Sequence, residues 1–273
     1  MALNFSEPAI ELNLAGITVA LAIGDPSLRR AVTARYAEFI VINQNPQAIL
    51  QVQVNHRAQF IPMKPGRWII ECTERGGRLH YRSYFDAGWI DLERGEAFLE
   101  IAPGIDIENF LRLLYAHLCL RAGGLLLHAA GIIRHDLGYV FLGPSGSGKT
   151  TVARLSLDDT VLSDDLIILK IQGSKVRLFG VPFRGDFLEA PRVNQSAGLH
   201  CLLALVQAPQ HRVAGLTGPE AIARLLACVP FIITDVGRAQ RVMTLCREIH
   251  ERVPVRALHF RPDAGFWREI HEG

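Results

Sequence analysis

The chain has 273 residues, 49% of them hydrophobic, which is room for one large or two modest domains with well-packed cores. A net charge of +2 and a pI near 8.3, with no run of Lys or Arg, exclude a dedicated nucleic-acid binder; no apolar run has the ~18 residues a spanning helix needs. Five widely spaced cysteines without a CxxC pair exclude a disulfide framework or structural zinc site, and the amino terminus lacks a secretory pattern, so a cytoplasmic protein is expected. Residues 10–100 predict short strands: IELNL and ITVALAI, then AILQVQV, then a pair around Gly76-Gly77 and another around Arg94-Gly95. One helix is expected near LRRAVTARYAEFI. Residues 106–121, DIENFLRLLYAHLCLR, carry helical spacing with Asp106 as N-cap and Gly123-Gly124 as terminator.

Beyond that helix, LLLHAAGIIR and YVFLG read as adjacent buried strands with a turn near Asp136. GPSGSGKT follows, and TVARLSL begins a helix. VLSDDLIILKIQGSKVRLFG reads as a strand pair turning at Gly173-Ser174. From about residue 195 the text reads mostly helical, in GLHCLLALVQ, PEAIARLLACVP and DVGRAQRVMTLCREIHERV, with VRALHF as a last short strand. The class is α/β, mixed with α+β character. Residues 1–121 form a strand-rich domain and residues 122–273 a nucleotide-binding domain.

Gly143, Gly148, Lys149 and Thr150 fit the phosphate-loop pattern GxxxxGK[ST], with an apolar strand before and a helix after. Glycines let the backbone curl, so that successive N–H groups of Gly143, Pro144–Ser147 and Gly148 (Pro144 excepted) can point at phosphate oxygens. Lys149 adds a full charge, the Thr150 hydroxyl can ligate Mg²⁺, and Thr151 completes the loop. ATP and Mg²⁺ are therefore the expected cofactors.

Two acidic candidates for the metal exist. Asp235 ends FIITD, where it also suits a helix N-cap. Asp164 and Asp165 lie 15 and 16 residues after Lys149. One of that pair can order Mg²⁺ and the other can take a proton from an attacking hydroxyl, although an exposed Asp-Asp turn, as expected at Asp158-Asp159, has the same spelling. His128 stands 15 residues before Gly143. A histidine on an apolar strand commonly sits in a core, but a hairpin from its strand to the loop strand would bring this imidazole to the phosphates. Arg184, in PFRGDF, can either reach a γ-phosphate or pair with Asp186. Arg192 is a weaker candidate of that kind. His200, His211, His250, His259 and His271 show no ligand spacing.

The order of LHAAGI, GPSGSGKTT and SDD resembles the catalytic domain of HPr kinase/phosphorylase and its relatives, whose core is shared with ATP-dependent phosphoenolpyruvate carboxykinase. The resemblance covers residues 124–190, and the remainder is closer in layout to the HPr-kinase-related proteins of bacterial biosynthetic clusters. It implies a serine kinase in which His128 and Asp165 activate a hydroxyl, Asp164 serves Mg²⁺, and Lys149 with the loop amides holds the β- and γ-phosphates. The acceptor would be a protein or peptide serine, with the N-terminal region recognising it, and the family hints at a homo-oligomer. Thr151 replaces a glutamate common in the family, and GVPFRGDFLEA replaces the signature after the aspartates; both point away from HPr itself as acceptor. The competing readings are an ATP-binding switch or ABC-like ATPase subunit, for which LSGGQ and hhhhDE signatures are lacking, a binding module without chemistry, and a small-molecule kinase on the same fold.

Overall fold

A computed structural model of the chain describes residues 9–42, 44–56, 60–61, 70–183, 185, 187, 192–231 and 236–272. It is mixed α/β and divides into two compact units, Met1–Leu118 and Cys119–Gly273. Among the described residues, no helix is long and apolar enough to cross a membrane. All five cysteines are free thiols, and all but Cys72 are buried.

The first unit contains strands β1 (Ile10–Leu14), β2 (Ile17–Ile23), β3 (Ile40–Val41), β4 (Ala48–Val54), β5 (Glu71–Arg75), β6 (Arg78–Arg82), β7 (Asp86–Asp91) and β8 (Glu96–Ile101). Helix α1 (Pro26–Arg35) follows β2, and α2 (Glu108–Arg121) follows β8. The sheet order is β3-β1-β2-β4-β8-β7-β6-β5. The β2–β4 and β4–β8 pairs are parallel and the others antiparallel. Register puts Leu12, Val19, Leu21, Leu50, Val52 and Leu99 on one face, all but Val52 fully buried. Helix α2 lies on that face: Tyr115 donates its hydroxyl to the Leu12 carbonyl at 2.6 Å, and Phe110 packs edge-on against Tyr81. Gly88 makes the close approach possible, since a Cβ there would stand 2.2 Å from the Phe98 carbonyl oxygen and 2.9 Å from Phe110 Cε2. Asp25 caps α1 by accepting from the Leu28 amide at 2.7 Å, with Pro26 in the first turn.

The second unit contains β9 (Gly124–Arg134), β10 (Leu137–Leu142), α3 (Lys149–Arg154), β11 (Thr160–Ser163), β12 (Leu166–Gln172), β13 (Lys175–Phe179) and β14 (Ser196–Gln207). After them come β15 (Arg212–Gly215), α4 (Gly218–Leu226), α5 (Val236–Arg252), β16 (Val255–Phe260) and α6 (Phe266–Glu272). The order is β10-β9-β12-β13-β14-β16-β15, and β10 also pairs with β14. Strands β9, β12, β13, β14 and β10 therefore close on themselves. Gly131 faces Ile167 and Leu178 across that ring, where an added Cβ would come 2.7 Å from Ile167 Cγ2. On the opposite face, Ile132, Phe141, Leu203 and Phe260 form a core with Val152 of α3 and Phe266 and Trp267 of α6.

The segment GLHCLLALVQ, expected to be helical, is strand β14 instead. Its alternate residues bury on both faces, Cys201, Leu203 and Leu205 in the core under α6, and Leu202 and Ala204 on the other side. A strand covered on both sides reads as an unbroken apolar run, which periodicity cannot separate from a buried helix. Parallel pairing with β10 and β16 and antiparallel pairing with β13 decide it. The helix after the loop is also shorter than TVARLSL suggests, ending at Arg154.

Candidate functional site

Strands β9 and β10 form a hairpin through His135 and Asp136, both with positive φ, 49° and 62°. Such a left-handed pair matches the twist of the strands. The register sets Leu142 opposite Ala129. The loop that leaves β10 at Gly143 therefore starts beside His128.

Along the other edge of β9 run β11 and β12, as one interrupted strand: Ser163 pairs with Gly131, and Leu166 with His128. A bulge between Val161 and Ser163 shifts the register by one residue. Side chains alternate along a strand, so that single shift exchanges the faces on which the following residues emerge. Asp164 and Asp165 emerge just beyond it. The Ser163 hydroxyl oxygen accepts from the amides of Asp165 and Leu166, each at 3.1 Å, and the Ala129 amide donates to the Asp165 carbonyl at 2.9 Å. The backbone under the two acids is thereby pinned on both sides.

The carboxylates face different partners. Thr150 donates its hydroxyl to Asp164 Oδ2 at 2.9 Å, and Asp164 is buried, at 5% exposure. Asp165 Oδ1 lies 3.2 Å from His128 Nε2, whose side chain keeps 43% exposure. Gly185 rests against both acids; a Cβ there would come 2.8 Å from Asp165 Cβ and 3.1 Å from Asp164 Oδ1. A side chain at position 185 would crowd both acids.

The loop itself is tightly specified. Gly148 has φ 109°, and a Cβ would meet Phe260 Cζ at 2.5 Å, so that only glycine lets the backbone pass there. Gly146 has φ 78° at the exposed tip, where Gln207 Nε2 donates to its carbonyl at 2.9 Å. Ser145 and Pro144 are exposed, and Thr151 sits half-buried in the first turn of α3. The Ser147 amide donates to the Pro144 carbonyl at 3.2 Å, while its hydroxyl is buried without a partner among the described residues. Lys149 is 6% exposed and donates from Nζ to the carbonyls of Gly143 at 2.9 Å and Pro144 at 3.0 Å. Burial lowers its pKa from the ordinary lysine value, against the opposing pull of Cys228, Asp165 and Asp164.

Of the residues singled out in the sequence, the loop, His128, Asp164 and Asp165 come together. Arg184 lies outside the described residues, and so do its partner candidate Asp186 and the alternative acid Asp235. Arg192 donates from Nε to the Pro182 carbonyl at 2.7 Å. Asp159 is not a free turn acid: Arg134 donates to it at 2.9 Å. Several contributors carried no readable signal. Cys228 accepts through its carbonyl from the His128 amide at 2.7 Å, and its thiol, pushed up by burial, accepts from the Gly143 amide. Phe260 and Gln207 come from distant strands. Ser163 alone was legible, as a hydroxyl residue ahead of two acids, the spelling of a side-chain-capped turn.

The donor set suits a nucleotide with a divalent cation. The buried Ser147 hydroxyl and the curled glycines leave polar groups needing oxygen partners. Among the described residues there is no cluster of three His, Cys, Asp or Glu that would cage a metal alone. A Mg²⁺ bound through one or two protein oxygens and the phosphates needs none. No family model matches the chain, and no curated protein matches it. Among solved structures, it is similar to the HPr(Ser) kinase/phosphatase from Coxiella burnetii, with 14% identity over 54% of this chain and 94% of that one, at a TM-score of 0.30.

Proposed function

We propose that the second unit is an ATP- and Mg²⁺-dependent phosphotransferase that moves the γ-phosphoryl group to a hydroxyl, and that the acceptor is a serine of a protein or peptide. The observation that carries this reading is the split of one acidic pair. Asp164 turns to the threonine that follows the loop lysine, while Asp165 turns to His128. A binder would have no use for a base poised on the open side of its loop.

In this reading the amides of 145–150 and the Lys149 ammonium hold the β- and γ-phosphates. Thr150 and Asp164 hold Mg²⁺, which supplies charge neutralisation across the phosphate oxygens when bound. Asp165 takes the proton of the acceptor hydroxyl at its carboxylate, and His128 orients that carboxylate through Nε2. Phosphoryl transfer of this kind needs positioning and charge stabilisation more than covalent help, and the pinned bulge provides the positioning. The side chain of His128, at 43% exposure, is open to an incoming chain.

The test separates holding from transfer. Lys149→Ala is expected to abolish Mg²⁺-ATP binding by calorimetry. His128→Ala is expected to retain binding and to lose release or transfer of labelled γ-phosphate under single turnover. Full transfer by His128→Ala would refute the role given to the dyad.

A further inference from the structure

The second unit holds a hollow of about 300 Å³ between the start of the phosphate loop, strand β14 and helix α4. Leu142, Ala204 and Cys228 are buried in its wall, and Gly143 and Pro144 form the loop side. Ala223, Arg224 and Ala227 line it from α4 and the residue that ends it, and all three are exposed. Cys228 joins this hollow to the candidate site. Its carbonyl accepts from the His128 amide at 2.7 Å, and its thiol accepts from the Gly143 amide. Lys149 donates to the Gly143 and Pro144 carbonyls, so the ammonium stands directly behind the loop side. The hollow therefore adjoins both the lysine and the strand that carries His128.

Its charge is one-sided. Burial raises the Cys228 pKa and keeps the thiol neutral, while Lys149 and Arg224 both oppose that rise, which sets each cation close to the sulfur. Among the described residues, no carboxylate lines the hollow. Asp164 and Asp165 act on Lys149, and Glu220 acts on Arg224. The Glu220 carboxylate, however, accepts from the Thr217 amide at 3.1 Å and the Thr217 hydroxyl at 2.7 Å. Resting on the phosphotransferase reading, we propose that this hollow receives an acidic side chain next to the acceptor serine. Its methylenes lie on Leu142 and the alanines, and its carboxylate meets the Arg224 guanidinium, whose donors match a carboxylate in pairs. A lysine in that position would face two cations. A nucleotide base has no charge for Arg224 to meet.

Two measurements on the full chain test this. In the first, acetylglutamate amide, acetylglutamine amide and acetyllysine amide are titrated in and followed by amide chemical shifts. The glutamate probe is expected to move residues 142, 143, 204 and 223–228 and to bind about fivefold more tightly than its neutral glutamine isostere. Arg224→Ala is expected to equalise the two, Arg224→Lys to keep most of the difference, and Ala223→Leu to exclude both by filling the space. In the second, serine peptides varied at one flanking position at a time receive labelled phosphate from Mg²⁺-ATP. Glutamate is expected to be preferred about fivefold over glutamine at one position, and Arg224→Ala to erase that preference without changing ATP affinity. Equal binding of the two probes, shifts elsewhere, or a preference that survives Arg224→Ala would overturn the proposal. Selective binding of the glutamate probe without transfer to any peptide would leave the anion site standing and overturn the phosphotransferase reading instead.

Discussion

The two sheets treat their strands differently. In the first unit the path from β3 to β5 stays open, and five of its seven pairings are antiparallel. In the second, β10 reaches β14 and the strands close into a ring. The open sheet is stitched by local turns, such as Ala15-Gly16 and Gly76-Gly77, all with positive φ. The ring depends on parallel contacts between segments about 60 residues apart, such as Tyr139 with Cys201. The polar constellation sits on the closed sheet, where His128 and the acids are held by strands with neighbours on either side. Rigid elements position reacting groups better than free loops do.

The sharpest way to break this contrast is Asp165→Asn, which leaves the fold of the bulge in place and removes the base. Transfer is expected to fall about 10²–10⁴-fold while Mg²⁺-ATP affinity stays within about threefold. Single-turnover kinetics with parallel calorimetry reads both quantities. An equal loss of binding and transfer would make Asp165 a structural acid and leave the site without its chemistry.

That contrast also explains what could be read in the residues. The hairpins around Gly76-Gly77 and Gly173-Ser174 announce themselves in turn residues, and the helices α2, α4 and α5 in their sequence pattern. The loop was legible because its glycines, lysine and threonine stand at fixed offsets between a strand and a helix. Strand β14 was not, because double-sided burial erases the alternation that marks a strand. Strand β15 and helix α6 are short, four and seven residues, and offer too few periods to detect. Within the site, the hairpin argument put His128 beside the loop with either Asp164 or Asp165 as its partner, and the β9–β12 register gives it Asp165. The bulge at Leu162, the Gly185 seat and the Cys228 carbonyl were not legible, since each depends on a register or contact fixed by tertiary packing.

A pair of glycines measures how much tighter the ring unit is built at its loop. Gly148 and Gly76 both have positive φ, 109° and 59°, but a Cβ at Gly148 meets Phe260 while one at Gly76 meets nothing. Gly148→Ala is expected to cost about 3 kcal/mol and to abolish nucleotide binding. Gly76→Ala, carrying only the backbone term, should cost about 1 kcal/mol. Denaturant titration reports both, and similar losses would mean that Phe260 yields easily.

A smaller effect should appear with acid. Asp263 accepts from the Gly265 amide, His211 and Arg261, which hold its carboxyl near about 2. With an ordinary unfolded value of about 3.9, its contribution is complete above that value and disappears as pH falls towards about 2. Melting temperatures from pH 5 to pH 2 should drop less steeply in Asp263→Asn than in the parent. Parallel curves would show that this exposed carboxylate contributes nothing to the α6 junction.

The central claim concerns where the outermost phosphate lies. A crystal structure with Mg²⁺ and a non-hydrolysable ATP analogue tests it directly. The account predicts the metal on Thr150 and Asp164, and the γ-phosphate facing Asp165 and His128 with space for one hydroxyl between them. A γ-phosphate directed away from that pair, or a metal bound without Asp164, would contradict it.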